Sequence, residues 1–562
     1  MNEEEKKPLF VNRKWYYFLT ELLVGMALMG VEMSASRFIS VYFSSSQVIW
    51  TIIIGVIMIA MAIGNYWGGR QADKKPSYTR LYIELLAAGT WIVLIPFVGR
   101  FIIAGISAFF ALFISEGLVI WAALFSCIIL FAPPLLMLGK VTPSLVKYSM
   151  GEKVSGKVIG TLEALNTVGS IVGTFLPTFL TIPFVGTSNS FVLFGGVIAL
   201  LGLVYIITHL VDDFRGQYRA KKEGIEIPKK NSKKTTKTTI LSAICASFWI
   251  FGMFVSTNAS FIFWNDNTLI WQGESMYNYL RVYKDGKTNY FSTNALFGVQ
   301  SCINDDNSLT DMYYDYLLVS PYIVDNPNPK VLVLGNGTGT YATMMKEYLG
   351  VNADITGVEI DQKIIDISYT FFHMNKDVNV ICDDGRHFIS RDSNLYDIIL
   401  VDAYSSISAP FHMTTVEFFR IVKNHLTDNG LMIMNINMRS NRRNSIDVAL
   451  RDTAYSVFSN LYYCDVPNGS GVEIYSYKNP DLDVKEKVIA ASLDTTLFPF
   501  RDSFISHLYK YVDTGLRLYD DTADVEIKSL VTLDDMVLSY LSYYRDVFRT
   551  RGLKGLIEVL MG

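Results

Sequence analysis

The sequence predicts a two-part protein: a polytopic α-helical membrane domain followed by an α/β domain on a mostly parallel, doubly wound sheet. Three observations carry this. Long apolar runs dominate about the first 210 residues of a 562-residue chain in which half the residues are hydrophobic and 18% are charged. About the last 300 residues have the mixed polarity of a soluble domain. From Val331 onward, short β-rich runs alternate with helical stretches, and glycines and carboxylates fall at the ends of the runs, the pattern of a sheet covered by helices on both faces.

A run of about 20 apolar residues crosses the hydrocarbon as a helix. Seven runs qualify, at 16–38, 48–68, 80–99, 118–139, 158–183, 190–210 and 239–257. The membrane domain is therefore expected over 1–257, with a basic linker at 211–238. A shorter run at 101–114 is either an interfacial or re-entrant piece or the extension of a neighbouring helix. The first run is too long for a cleaved signal peptide. Basic residues mark alternate loops: Arg70, Lys74, Lys75 and Arg80, then Lys140, Lys147, Lys153 and Lys157, then nine Lys or Arg between Arg215 and Lys237. These loops and the N-terminus are expected on the cytoplasmic side of a bacterial-type plasma membrane. The segment Gly64–Asp73 (GNYWGGRQAD) resembles the loop between helices two and three of major-facilitator transporters; tight packing through small residues explains it equally well. Gly169, Ser170 and Gly173 read as a packing face.

A net charge of −4 speaks against a general nucleic-acid binder. The expected partners are the lipid bilayer and a small-molecule substrate. The five cysteines are scattered without a CxxC, so neither a disulfide framework nor a metal site is expected. The β-rich stretch over 258–325 and the α/β segment over 326–480 are read as one soluble domain; 481–562 is a C-terminal extension with no assignment.

In that domain Val331–Leu334 leads into Gly335-Asn336-Gly337-Thr338-Gly339, a helical stretch over Tyr341–Leu349, and a second strand at Asp354–Glu359. This is a βαβ unit whose glycines let a ligand approach the backbone and whose terminal carboxylate suits ribose hydroxyls. Val378–Ile381 leads to Asp383-Asp384-Gly385-Arg386, Tyr396–Val401 leads to Asp402-Ala403-Tyr404, and Gly430–Asn435 is a further strand. Glu359, Asp384 and Asp402 thus fall at strand ends, where open α/β sheets bind ligands. Three acids there suit ribose hydroxyls, an exocyclic amine and a positive centre. His387 and His412 are expected as surface or packing residues.

These motifs resemble the spermidine synthase (polyamine aminopropyltransferase) family, a branch of the class I methyltransferase fold. Upstream, Ser275-Met276-Tyr277-Asn278 is similar to the family's S-x-Y-Q, and Gln300 with Asp305-Asp306 to its glutamine and acidic pair. Tyr313-Tyr314-Asp315-Tyr316-Leu317 is similar to Y-[HQ]-E-x-L, and Pro410–Phe419 to P-x-x-L-x-T-x-E-F-[YF]. The whole chain looks like the bacterial fusions of a membrane domain to a spermidine-synthase-like domain. The resemblance implies a Rossmann-like domain preceded by a small β-hairpin subdomain. Gln300 and the Gly335/Gly337/Gly339 loop would hold the ligand's sulfur side and ribose. Glu359 would bind the ribose hydroxyls and Asp384 the adenine amine, with Asp361 supporting the loop. Asn278, Thr338, Gly385 and Tyr404 complete the expected binding set. Asp402 would help deprotonate an attacking amine, with 5′-methylthioadenosine as leaving group and no metal. A homodimer is a further expectation. Supply of such a ligand argues for a cytoplasmic site, although a true span at 239–257 would place the domain outside.

Three departures from the family pattern shape the functional expectation. Its loop aspartate is Thr338, the second aspartate of D-S-S-D is Ser405, and the glutamine of S-x-Y-Q is Asn278. A loop carboxylate would repel the carboxylate of intact S-adenosylmethionine by about 4 kcal/mol at about 4 Å and an effective dielectric near 20; threonine removes that selection. The expected function is therefore a lyase that cleaves S-adenosylmethionine between sulfur and the aminoalkyl chain, by intramolecular attack or elimination. Transfer of an aminocarboxypropyl group is the variant of this. The alternatives are an aminopropyltransferase using decarboxylated S-adenosylmethionine, or a non-enzymatic transporter or sensor with an adenosyl-binding domain.

Overall fold

The computed structural model describes residues 9–43, 47–74, 76–113, 118–150, 156–222, 248, 268–294, 299–404, 409–436, 446–466, 471–493 and 517–518. It divides into two units, Met1–Asn265 and Asp266–Gly562.

The first unit is helical: α1 (Lys14–Phe43), α2 (Gln47–Lys74), α3 (Tyr78–Phe113), α4 (Leu118–Gly139), α5 (Val141–Met150), α6 (Gly156–Leu176) and α7 (Ile182–Lys222). By length and composition, five helical stretches can cross a membrane, the last being a 60-residue run over Gly156–Arg215. A straight helix of that length would measure about 90 Å, some three times the hydrocarbon thickness. The run instead reverses at Gly186, whose φ of 85° and ψ of 165° are not helical. Thr181 Oγ1 and Ser190 Oγ meet across the turn at 2.7 Å. Leu22 and Met26 of α1 face Gly169 and Gly173 of α6, so these helices run parallel. Gly30 of α1 lies against Phe194, and Tyr16 Oη donates to the Leu201 carbonyl, so α7 runs antiparallel to α1. The expected spans at 158–183 and 190–210 are the two arms of this helical hairpin.

The apolar run at 101–114 falls largely within α3 as its extension. Gly64–Asp73 is no loop but the last turns of α2, with Gly64 and Gly68 against the backbone of Leu136 and Lys140; small-residue packing explains it. Residues 211–222 of the expected linker continue α7. The rest of the linker and, apart from residue 248, the expected span at 239–257 lie outside the described residues.

The second unit opens with an antiparallel sheet, β1 (Leu269–Glu274), β2 (Tyr279–Asp285), β3 (Thr288–Thr293) and β4 (Ser301–Asn304), in that spatial order. Two helical turns, Tyr314–Leu317 and Ser320–Ile323, connect it to the main sheet. There follow β5 (Lys330–Leu334), α8 (Thr340–Thr343, widening into a π-turn at Met344–Tyr348), β6 (Asp354–Glu359), α9 (Gln362–Phe371), β7 (Asn379–Cys382), α10 (Gly385–Arg391), β8 (Tyr396–Val401), α11 (Val416–Asn424) and β9 (Leu426–Ile436). Then come α12 (Ile446–Tyr455), β10 (Tyr462–Asp465), β11 (Val472–Tyr477), α13 (Val484–Leu493) and the short β12 (Arg517–Leu518).

The strand order is β12-β10-β11-β9-β8-β5-β6-β7. Strands β5 to β9 pair in parallel, and β11 adds to β9 antiparallel. Side chains alternate between two cores: Val331, Val333, Ile398, Leu400, Ile433 and Tyr475 enter one, and Leu332, Leu334, Ile399, Val401, Met434 and Ile474 the other. Burial on both faces is why these strands read as continuous apolar runs. The segment beyond 480 is not wholly an appendage: Val484, Val488 and Ala491 of α13 join the first core, and Arg517–Leu518 pairs with β10.

Candidate active site

The chain leaves β5 toward β6 on one side and returns to β8 on the other. The carboxyl ends of these strands therefore diverge around a crevice, the topological switch point of such sheets. A cavity of about 340 Å³ lies there, within the size range of small-molecule sites.

The β5 loop is built for close approach. Gly335, Gly337 and Gly339 have φ of 88°, 52° and 72°. A Cβ on Gly335 would lie 2.4 Å from the Asp402 carbonyl oxygen, so only glycine lets the β5 and β8 loops touch. Glu359, at the end of β6, is buried. Its Oε2 accepts from the Gly337 amide at 2.9 Å and its Oε1 from the Asp361 amide at 3.1 Å. Burial nonetheless pushes its pKa up to about 7.

Asp402, at the end of β8, is held by two neutral donors. Tyr313 Oη donates to Oδ2 at 2.8 Å and Asn435 Nδ2 to Oδ1 at 2.9 Å. Burial raises its pKa to about 7 against the pull of both hydrogen bonds, and the Glu359 charge adds to the rise. The adjacent Tyr314 donates to the Gln300 carbonyl at 2.8 Å. Asp315 accepts from the Thr310 and Asp311 amides, fixing the turn that aims both tyrosines.

Asp384 caps α10, its Oδ1 accepting from the His387 amide at 2.9 Å, while its Oδ2 lies 2.9 Å from His412 Nε2. Asp383 is held below the usual carboxylate range first by its hydrogen bond with His387. Ser275 ties the β1–β2 turn, accepting from the Tyr277 and Asn278 amides and donating to Asp361. Asn294 donates to Asn278 Oδ1 at 2.7 Å.

Of the residues expected from sequence, Asn278, Gln300, Gly335, Gly337, Glu359, Asp384, Gly385, Asp402 and Tyr404 line the cavity. Asp361 does not; it caps α9 through Lys363 N and holds Ser275. Gly339 lies behind the wall against Met374. Thr338 is wholly buried with its hydroxyl 3.2 Å from that of Thr340, and is not part of the cavity wall. The charge argument that favoured intact S-adenosylmethionine assumed a side chain facing the ligand, and it falls with this placement. Ser405 lies outside the described residues. Sequence reasoning missed Asn435, although it closes a predicted strand beside that of Asp402. His412, expected as a surface or packing residue, lines the cavity beside Asp384. Glu473 was missed as well: an acid in the apolar run Val472–Tyr477, fully buried on β11.

A parallel sheet with an antiparallel strand added next to β9, and acids at the ends of β6 and β8, defines a class I methyltransferase-like fold. The family model described as "Spermine/spermidine synthase domain" matches residues 310–482. A probable polyamine aminopropyl transferase of Bifidobacterium longum is 36% identical over 339 residues, spanning 57% of this chain and 75% of that protein. The polyamine aminopropyltransferase of Buchnera aphidicola is 27% identical over 206 residues, spanning 34% and 72%. Among solved structures, a spermidine synthase in complex with the transition state analogue AdoDATO has a TM-score of 0.35 at 17% identity, covering 44% of this chain and 86% of that one. The spermidine synthase of Thermotoga maritima has a TM-score of 0.34 at 17% identity, covering 44% and 85%. The chain belongs to the polyamine aminopropyltransferase family, a family of transferases. That membership favours the transferase alternative over the lyase and sets aside the non-enzymatic reading.

Proposed function

We propose that the chain transfers the aminopropyl group of decarboxylated S-adenosylmethionine to an amine, at a membrane. The observation that carries this is Asp402, a half-buried carboxylate that desolvation lifts to about 7 against its hydrogen bonds from Tyr313 and Asn435, in the same cavity as Glu359. Glu359 and the glycine loop bind the ribose, and the cavity edge at Asp384 takes the adenine. Asp402 accepts a proton from the ammonium of the acceptor. The freed nitrogen lone pair attacks the aminopropyl carbon bound to the sulfonium. The C–S bonding pair returns to sulfur, and neutral 5′-methylthioadenosine leaves. No step requires a metal.

The stretch 1–257 serves as the membrane domain, with the bilayer as partner, and 258–480 as the catalytic domain. Helices α1 to α7 cross six times when the hairpin at Gly186 is counted as two, which returns Arg215 to the side of the N-terminus. The basic residues from Arg215 onward support the cytoplasm for that side, where the sulfonium donor is made; a homodimer would bring twelve spans together. The test is release of 5′-methylthioadenosine by the detergent-purified full chain given each donor with and without an amine. Release from the decarboxylated donor only when an amine is present supports the proposal. Release from S-adenosylmethionine alone returns the lyase.

A further inference from the structure

Glu21 belongs to the membrane unit and has no part in the transfer chemistry. It lies on α1, inside the first apolar run, and is wholly buried. Ionisable side chains are costly in a membrane span, and those that persist there mark sites of function.

Its two carboxyl oxygens differ. Oε1 accepts from the Thr142 hydroxyl of α5 and from Asn166 Nδ2 of α6, the latter at 2.8 Å. Oε2 is inaccessible to solvent and has no hydrogen-bond partner among the described residues. Both donors to Oε1 are neutral. The bases of the neighbouring helices are engaged or exposed. Arg80 and Lys140 pair with Glu84, and Lys147 pairs with Asp73; Arg70 and Lys74 of α2 and Lys157 of α6 are exposed. His209 of α7 lies 3.2 Å from Asn12 Oδ1. Glu163, exposed on α6 one turn before Asn166, and Asp212 and Asp213 of α7 are further acids. Tyr82 of α3 meets the Thr20 hydroxyl at 3.0 Å, and Tyr205 of α7 stacks on Tyr82.

An ionised carboxylate held only by neutral donors and shut off from water has nothing to offset its lost hydration. A proton on Oε2 removes that cost and leaves Oε1 with both its donors. The ionised form needs water or a cation at Oε2, and so needs the contact between α1, α5 and α6 to open. Helix α5 has 10 residues, about 15 Å, too short to span a bilayer; the contact is thus between one short helix and two spans.

We infer that Glu21 is a proton-binding site of the membrane unit, with the proton on Oε2, and that its release is coupled to opening of the contact between α1, α5 and α6. The O–H bond breaks with its electron pair staying on the carboxylate, and water takes the proton, so no other reactant enters. The membrane unit then senses proton activity and is more than an anchor for the second unit.

The test uses N,N′-dicyclohexylcarbodiimide, which reacts with protonated carboxyls in apolar surroundings. The full chain in detergent is treated between about pH 6 and 9, and the adduct is located by peptide mass spectrometry. The expected adduct is on Glu21, forms at least about tenfold more slowly at the upper pH, and is insensitive to sodium at fixed pH. A rate that ignores pH would mean a permanently protonated structural acid, protection by sodium a metal-cation site, and no adduct at pH 6 an ionised carboxyl; each overturns the inference. These arms need no variant. For the coupling, amide hydrogen exchange in α5, corrected for the intrinsic rate, is expected to lose at least about tenfold in protection over the same range in the unmodified protein. Glu21→Gln, which keeps an acceptor for both donors and cannot ionise, is expected to hold its protection. Equal loss in both proteins, or loss in neither, overturns the coupling.

Discussion

Tyr313 donates its phenolic proton to Asp402 Oδ2 at 2.8 Å from a buried helical turn. The bond favours the charged form of an acid that burial pushes up to about 7. As a base, Asp402 works only when ionised, so kcat/KM is expected to rise as pH increases through about 7. Tyr313→Phe removes one of the two stabilising donors. It should move this rising limb to higher pH by up to about one unit, the equivalent of about 1.4 kcal/mol, and Asp402→Asn should lower kcat by about 10²–10⁴. A pH–rate profile of the three proteins checks this; a limb that stays in place in Tyr313→Phe would disconnect the tyrosine from the base.

Glu359 makes a second, thermodynamic prediction. Folded, Glu359 and Asp402 keep their protons to about pH 7; unfolded, such acids ionise near 4. Between about pH 4 and 7 the folded state therefore binds more protons than the unfolded one, and stability falls as pH rises across that window. Thermal melting of the second unit should come earlier at pH 8 than at pH 5.5. Glu359→Gln should flatten this dependence and weaken binding of 5′-methylthioadenosine at least about tenfold, measured by calorimetry. An unchanged affinity would remove Glu359 from the ligand site.

Much of this architecture was legible because it is written in local patterns. Asp354–Glu359 and Tyr396–Val401 appear as strands over the same residues and Val331–Leu334 as one that begins at Lys330, and Glu359, Asp384 and Asp402 fall together because parallel strands end at one edge. The failures share a cause in long-range contact. Thr338 looked like a ligand contact by alignment to a loop motif, but its orientation depends on packing against Thr340. Asn435 and Glu473 join the rung of Asp402 only through strand pairings that sequence order does not announce. The hairpin at Gly186 was legible as two spans, whereas its sharp turn rests on one positive φ. The loop read in Gly64–Asp73 failed because small residues signal close helix contact as readily as a turn.

Gly335 tests the contact between the β5 and β8 loops. Its φ of 88° costs an alanine about 1–2 kcal/mol, and the added Cβ meets the Asp402 carbonyl at 2.4 Å and Ala403 at 2.5 Å. Because the obstacle is backbone, relief requires moving the loop that carries Asp402. Gly335→Ala should therefore destabilise the second unit by at least about 2 kcal/mol and abolish 5′-methylthioadenosine release, whereas Gly286→Ala, with φ of 57° but open space around its Cβ, should retain it. Equal activity of the two variants would mean that the loops are not in contact.

Gly173 tests the first unit in the same way. A Cβ there would lie 2.1 Å from the Met26 carbonyl oxygen, and at Gly169 2.0 Å from that of Leu22. Two glycines four residues apart thus let α6 lie directly on the backbone of α1, the contact geometry that small residues provide between membrane helices. Within a bilayer such packing is not driven by the hydrophobic effect, so lost contacts are not recovered by burial elsewhere. Gly173→Leu forces the helices apart by roughly the thickness of a side chain and should lower the melting temperature of the detergent-purified first unit within the full chain. Among the described residues the cavity is lined only by the second unit, so 5′-methylthioadenosine binding should persist in the same preparation. A variant that melts like the unmodified protein would show that α1 and α6 do not pack through these glycines.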